Sequence, residues 1–430
     1  MNDKPAILTD RSPGRLFSLA LLSIVVGTLT GLAGAAFRIL LARAELWRTY
    51  LLGRAHNLGG VGVPLVVCSI ALVGAFAAWL VFRFAPQAAG SGIPHVEHEL
   101  KVGWSGNTLS NVIVKFVGGV LAIGGGFALG REGPTVQIGG GIGQLVGRAL
   151  KRESHECRVL LAAGAGAGLA TAFTAPIAGA VFVLEELVGS FNMSVTLATL
   201  GASASAICVS RVFVGQAPDF RVPAFDFLNF GVLPASIVCG IVMGFVGVVY
   251  NRTILAALRS SVSFDKLRGG LRAATIGALI GLIGWFAPSL VGAGDMLTQQ
   301  TFDGRLTSTA LASIFLVRFL LGPVSYAART PGGLFAPMLV IGSQAGFLLF
   351  AGWSHIGSSA TVVPTQFAVV GIAGLFAAVV RAPLTGIVLA AELTGSYTLL
   401  LPMLGAAFAA TATTSILNEP PIYDSLRSVK

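Results

Sequence analysis

Charge is what this sequence has least of. Only 11% of its 430 residues are Asp, Glu, Lys or Arg, against roughly a quarter in soluble domains, which excludes a water-facing surface for a chain of this length. Acids are the scarcer sign: 18 Asp and Glu against 28 Lys and Arg leave a net charge of +10. The charges sit mostly in short gaps between apolar runs, and no basic stretch is interleaved with aromatics. That pattern argues for loops beside a membrane and against nucleic acid as a partner. Cysteine is confined to Cys68, Cys157, Cys208 and Cys239, without C-x-x-C spacing, so structural disulfides and zinc sites are not expected. His95 and His98 stand three apart, whereas a zinc protease needs H-E-x-x-H with four. There is no G-x-S-x-G either, and Ser91 has no base nearby in sequence. An intramembrane enzyme, a metal and a cofactor therefore all lack a motif.

Apolar residues make up 54% of the chain and form uncharged or nearly uncharged stretches close to bilayer length, for example 17–37, 61–82, 195–210, 230–250 and 273–293. The expected class is an all-α polytopic membrane protein. Its first span begins only after residue 15 and carries no convincing cleavage site, so it is expected to be retained, with 1–15 as a cytoplasmic segment.

The chain repeats itself. Ala175-Pro176-Ile177-Ala178-Gly179 returns half a chain later as Ala382-Pro383-Leu384-Thr385-Gly386. Each Pro is followed by Gly at the third position and by Glu at the ninth, Glu185 in one copy and Glu392 in the other. The polar interruption 215–229, with Pro218, Asp219, Pro223 and Asp226, divides a first transmembrane half, 16–214, from a second, 230–430. Before the first copy lie Arg148, Lys151, Arg152 and Arg158, but the equivalent loop 352–366 has no Lys or Arg. Short basic loops stay in the cytoplasm, so the halves should face opposite ways, with a substrate site near the midplane where discontinuous helices meet. Gly118-Gly119, 124–126, 139–141 and 164–168 are candidate interruptions, with close helix packing as the alternative.

Three segments combine Gly and Pro with a helix start inside apolar sequence: Gly90-Ser91-Gly92-Ile93-Pro94, Gly130-Arg131-Glu132-Gly133-Pro134 and Gly332-Gly333-Leu334-Phe335-Ala336-Pro337. A helix start presents unpaired N–H groups and a partial positive charge, a natural anion site. Three converging starts would hold an anion without a full cation, which could bind it too tightly for transport.

These segments resemble the GSGIP, G(K/R)EGP and GxFxP signatures of the CLC family of chloride channels and transporters, in family order, and the similarity runs from about Arg15 to the C-terminus. The resemblance implies an inverted-repeat homodimer in a bilayer, one anion pathway per subunit, with chloride and protons as the transported species. It implies Ser91 and Tyr423 as hydroxyl ligands of a central chloride. Backbone contributions are expected from Leu334 and Phe335, and from Gly130, Arg131, Gly133 and Gly333; the Arg131 side chain is equally well explained by pairing with an acid.

Glu132 matches the external gating glutamate. A carboxylate beside unpaired amides can occupy the anion site itself until protonation releases it. Glu185 has a repeat partner in Glu392, which suggests a shared capping or pairing duty, whereas Glu186 aligns with Leu393. An acid that breaks the symmetry is the better proton carrier, and Glu186 falls where the family's exchangers keep their internal proton-transfer glutamate. Channel members lack an acid there, so exchange is expected over passive conduction. A fluoride-exporting relative is disfavoured by Ser91 and Pro134. Lys115 and Glu97 are expected to make structural pairs. With Lys430 seven residues beyond Tyr423, no nucleotide-sensing domains are expected. A bacterial inner membrane with both termini cytoplasmic completes the expectation.

Overall fold

The computed structural model describes residues 13–103, 106–225, 232–262, 269–353 and 363–428. The cytoplasmic assignment of 1–12, the Asp226 end of the mid-chain interruption and most of the loop 352–366 lie outside these residues. In chain order the helices are α1 (Pro13–His56), α2 (Gly62–Phe84), α3 (Ile93–Val102), α4 (Thr108–Gly124), α5 (Glu132–Ala149), α6 (Ser154–Phe173), α7 (Pro176–Phe182) and α8 (Met193–Val214). After the mid-chain loop come α9 (Val232–Val262), α10 (Gly269–Phe286), α11 (Asp295–Phe302), α12 (Ser308–Ala327), α13 (Phe335–Trp353), α14 (Pro364–Val380), α15 (Pro383–Thr394), α16 (Leu400–Ile416) and α17 (Ile422–Ser428). Among the described residues eight helices are long and apolar enough to cross a membrane. Among the described residues there is no strand, only two isolated bridges.

Large apolar side chains such as Leu72, Phe286 and Phe408 are exposed on the outer helices, as expected where lipid rather than water is the neighbour. Polar and small residues gather inside. α6 and α14 are buried along almost their whole length and form the centre of each half.

The packing pattern repeats. α1 packs on α8 and α6 as α9 packs on α16 and α14, and α5 packs on α4 and α6 as α13 packs on α12 and α14. The pairs α2–α10 and α7–α15 cross between the halves, and α17 has no counterpart. The crossings depend on absent side chains. A Cβ on Gly143 would collide with the Leu160 carbonyl, and one on Gly346 with that of Phe367, so α5 and α13 contact α6 and α14 backbone to backbone.

Three sequence expectations need correction here. Of the glycine clusters only 124–126 ends a helix; Gly118-Gly119, 139–141 and 164–168 lie within α4, α5 and α6, where they serve close packing. α1 begins at Pro13, inside the supposed N-terminal segment, and runs well past the apolar stretch 17–37. The stretch 273–293 is not one span, because α10 stops at Phe286. Ala287 precedes Pro288 and has left the helical region, φ −143° and ψ 74°, since a following proline disfavours helical backbone.

The repeated Glu residues join the halves. Glu392 accepts hydrogen bonds from the N–H groups of Ile177 (3.1 Å) and Ala178 (2.7 Å) at the start of α7. Glu185 accepts from those of Leu384 (3.0 Å) and Thr385 (2.7 Å) at the start of α15. Each carboxylate caps the other half's helix just after its N1 proline.

Gly143→Val or Gly346→Val should cost about 1–3 kcal/mol through overpacking, measured as a lower thermal midpoint of the detergent-solubilised protein. Gly284→Ala, whose new methyl would meet nothing closer than 3.6 Å, should leave the midpoint unchanged.

Candidate functional site

The three Gly-Pro segments are zipped together by backbone hydrogen bonds. Gly130 N–H donates to Gly333 O (2.9 Å) and Gly333 N–H returns to Gly130 O (2.7 Å). Gly90 N–H donates to Thr330 O (3.2 Å), while Gly332 N–H donates to Gly90 O (3.0 Å). The starts of α3, α5 and α13 are thereby drawn to one place. Gly92, at φ +87°, turns the chain into α3 through a conformation that an L side chain rarely adopts.

Gly130-x-x-x-Pro134 and Gly333-x-x-x-Pro337 are repeat counterparts, each opening the equivalent helix of its half, so Glu132 stands opposite Phe335 in the alignment. The Glu132 side chain crosses to that counterpart. Its Oε1 accepts from Phe335 N–H at 2.6 Å and from Ala336 N–H at 3.1 Å, while its Oε2 is buried without a protein partner. The sequence reading named Leu334 and Phe335 as backbone donors. That expectation concerns a bound chloride; the carboxylate itself takes Phe335 and Ala336, two amides of the first turn of α13 with no earlier helical carbonyl to pair with. Gly130, Gly133 and Gly333 leave space for this arrangement: a Cβ at Gly130 or Gly333 would strike the Glu132 carboxylate, and one at Gly133 would strike Ser91.

Ser91 is buried, its N–H donating to the Tyr326 hydroxyl at 3.2 Å. The Ser91 and Tyr423 hydroxyl oxygens are buried with no hydrogen-bond partner in the protein. Tyr423 is fully buried in α17, which packs on α3 and α14. Its ring centroid lies 6.2 Å from that of Phe335, and Phe335 also contacts Phe173, Phe182 and Phe376. Sequence reasoning did not name Tyr326, and it gave Ala336, within its third segment, no donor role. Tyr326 carries no local signal, since only the fold brings it to Ser91.

Glu186 sits in a π-helical turn, Val183–Leu187, that continues α7. Glu185 caps α15, and Glu186 lies within electrostatic reach of Glu97, Asp424 and Arg427. Tyr423 lies within electrostatic reach of both Glu132 and Glu186. Glu97 pairs with Lys101 (3.2 Å) and with Arg427.

Lys115 makes its structural pairing with backbone carbonyls. It is fully buried and donates to the carbonyls of Ala88 (3.1 Å) and Gly90 (2.6 Å), pinning the loop that carries Ser91. Its counterpart Arg318 does the same in the second half, donating to the carbonyls of Leu290, Gly292 and Ala293. The Arg131 side chain pairs with acids, Asp219 and Asp295, at 3.0 Å each.

Comparison with known proteins agrees with this geometry. A family model described as voltage gated chloride channel matches residues 73–415, and the chain belongs to that family. It is 36% identical to the H(+)/Cl(-) exchange transporter ClcA of Salmonella arizonae, covering 97% of this chain and 89% of the relative. It is also 36% identical to the ClcA of Vibrio campbellii, covering 95% and 89%. Among solved structures, a slow cyanobacterial Cl-/H+ antiporter superposes with TM-score 0.91 at 32% identity, covering 96% of this chain and 98% of that one. A CLC-type fluoride/proton antiporter superposes with TM-score 0.80 at 22% identity, covering 96% and 98%, a likeness of fold alone. The architecture is the CLC inverted repeat.

Lys115→Met would take the ammonium donor from the buried Ala88 carbonyl, at about 1–3 kcal/mol, and leave the Gly90 carbonyl to the Gly332 N–H alone. The purified variant should melt at a lower temperature, and Arg318→Met should do likewise from the other half. A Lys115→Met protein as stable as its parent would show that the Ser91 loop is held by other means.

Proposed function

We propose that this protein is a chloride/proton antiporter of a bacterial inner membrane, working as a homodimer with both termini cytoplasmic. The observation that carries the reading is the Glu132 carboxylate on the Phe335 and Ala336 amides. An anion of similar charge would take the same N–H groups, so chloride and the ionised carboxylate exclude each other. A proton on Glu132 removes its charge and frees the amides, which links anion occupancy to proton binding. Ser91 and Tyr423 present two unpartnered hydroxyls for the central ion, with further backbone contributions from Leu334, Gly130, Arg131, Gly133 and Gly333.

Glu186 is the internal proton carrier in this reading, and it favours exchange over a passive channel. An intramembrane acid is costly unless it has work to do. The exchangers named among the relatives support the same choice, while Ser91 and Pro134 favour chloride over fluoride. Orientation follows from Arg148, Lys151, Arg152 and Arg158 around the start of α6. The dimer is inferred from the family, and the apolar α7–α8 and α15–α16 faces, where Ile177, Leu384, Leu401 and Phe408 are exposed, could supply the contact.

In liposomes, an outward chloride gradient should drive proton uptake against a proton gradient. Glu186→Gln should reduce that uptake to the leak of protein-free liposomes while chloride flux continues. Glu132→Gln should remove proton movement and make chloride flux independent of pH. Proton pumping that survives Glu132→Gln would remove the gating carboxylate from the account, and chloride flux with no proton movement in the parent protein would establish a channel.

A further inference from the structure

The loop between the halves reaches into the site. Asp219 Oδ1 accepts from Arg38 (2.7 Å) and from the Thr174 hydroxyl (3.2 Å), and its Oδ2 accepts from Arg131 (3.0 Å). Its side chain is only 8% exposed. Neighbouring residues hold it in place: Phe220 N–H donates to Leu393 O (3.0 Å), and Arg221 and Gln299 exchange two hydrogen bonds of 2.9 Å. Phe220 packs edge-on against Phe302.

Arg131 is the residue immediately before Glu132. Its guanidinium is fully engaged, with Nε on Ala172 O (2.8 Å), one Nη on Asp295 and the other on Asp219. Beside it lies a cavity of about 300 Å³ lined in part by Arg38, Glu45, Arg131 and Asp295. Arg48, from the same face of α1, donates to Gly124 O at 3.0 Å. Three acids, Glu45, Asp219 and Asp295, thus balance three arginines, Arg38, Arg48 and Arg131. Removing Asp219 leaves Arg131 with Asp295 and gives the cluster one positive charge in excess beside Glu132.

We propose that Asp219 is a positioning residue for exchange: by holding and neutralising Arg131, it sets the pH at which Glu132 leaves the Phe335 and Ala336 amides. The inference rests on the reading of Glu132 as the gating carboxylate. Burial alone would raise the Asp219 carboxyl, but Arg131 and Arg38 outweigh it and hold the group below the usual carboxylate range. The two guanidiniums therefore favour the charged form of Asp219. A free positive charge on Arg131 favours the ionised Glu132, so more acid is then needed to release it.

The test is chloride efflux from liposomes containing the full-length protein, measured against pH together with proton uptake. Asp219→Asn should move the midpoint of the pH dependence to lower pH by roughly half to one unit while leaving the chloride-to-proton ratio unchanged. Asp219→Glu should return most of the shift. In an Arg131→Gln background, Asp219→Asn should have no further effect, since the carboxylate acts through that guanidinium. Arg38→Gln, which leaves Arg131 as the one arginine on Asp219, should move the midpoint to higher pH and provides the answer if Asp219→Asn does not fold. An unmoved midpoint in folded Asp219→Asn, the same shift in the Arg131→Gln background, or a downward shift in Arg38→Gln would overturn the proposal. Glu132→Gln alone separates the two readings: pH dependence that persists there refutes the gating carboxylate, whatever Asp219 does.

Discussion

A backbone N–H or C=O inside a bilayer has no water to turn to, and the fold follows from how these groups are satisfied. The reciprocal bonds between Gly130 and Gly333 are the central case. They allow two chain segments to leave helical structure deep in the protein without stranding polar groups, and they fix the starts of α5 and α13 against each other. The amides of the first helical turn remain free by construction, because a helix start has no earlier carbonyls to pair with its own N–H groups. The site is what the zipped loops leave over, and Glu132 is the side chain placed to claim it.

The scaffold is symmetric but its chemistry is not. Gly90-Ser91-Gly92 corresponds to Gly292-Ala293-Gly294, with the same pair of positive φ values, +63° and +87° in the first half, +83° and +97° in the second. A buried cation holds the loop in both halves, Lys115 in one and Arg318 in the other. At the positions that would meet an ion, however, Ser91 faces Ala293, Glu132 faces Phe335 and Glu186 faces Leu393. Duplication supplied the frame, and single substitutions in one copy distinguished its two sides.

Much of this was legible in the sequence because it depends on local residue types. Pro with Gly marks a helix start wherever the chain is folded, so all three converging segments could be named, and the shared Pro, Gly and Glu spacing exposed the repeat. Glycines inside α5 and α6 were ambiguous for a physical reason: Gly permits both a break and a close crossing, and only the partner helix decides between them. Long-range partners were not legible. Nothing near Tyr326 points to Ser91, and nothing near Asp219 points to Arg38 or Arg131, because those meetings are made by tertiary packing across most of a half. Lys115 shows the same limit: its structural pairing was expected, but its partners could not be named. Its partners are carbonyls, which every residue carries and no sequence pattern advertises.

The swapped caps of Glu185 and Glu392 bear on how such a chain could arise. Neither half completes the hydrogen bonding of its own short helix; each carries the carboxylate that caps the other's. Two copies of a single half, inserted with opposite topology, would satisfy both helix starts with one gene product. In that case the contact between α7 and α15 predates the linker joining the halves, and fusion of the genes only tethered partners that already recognised each other.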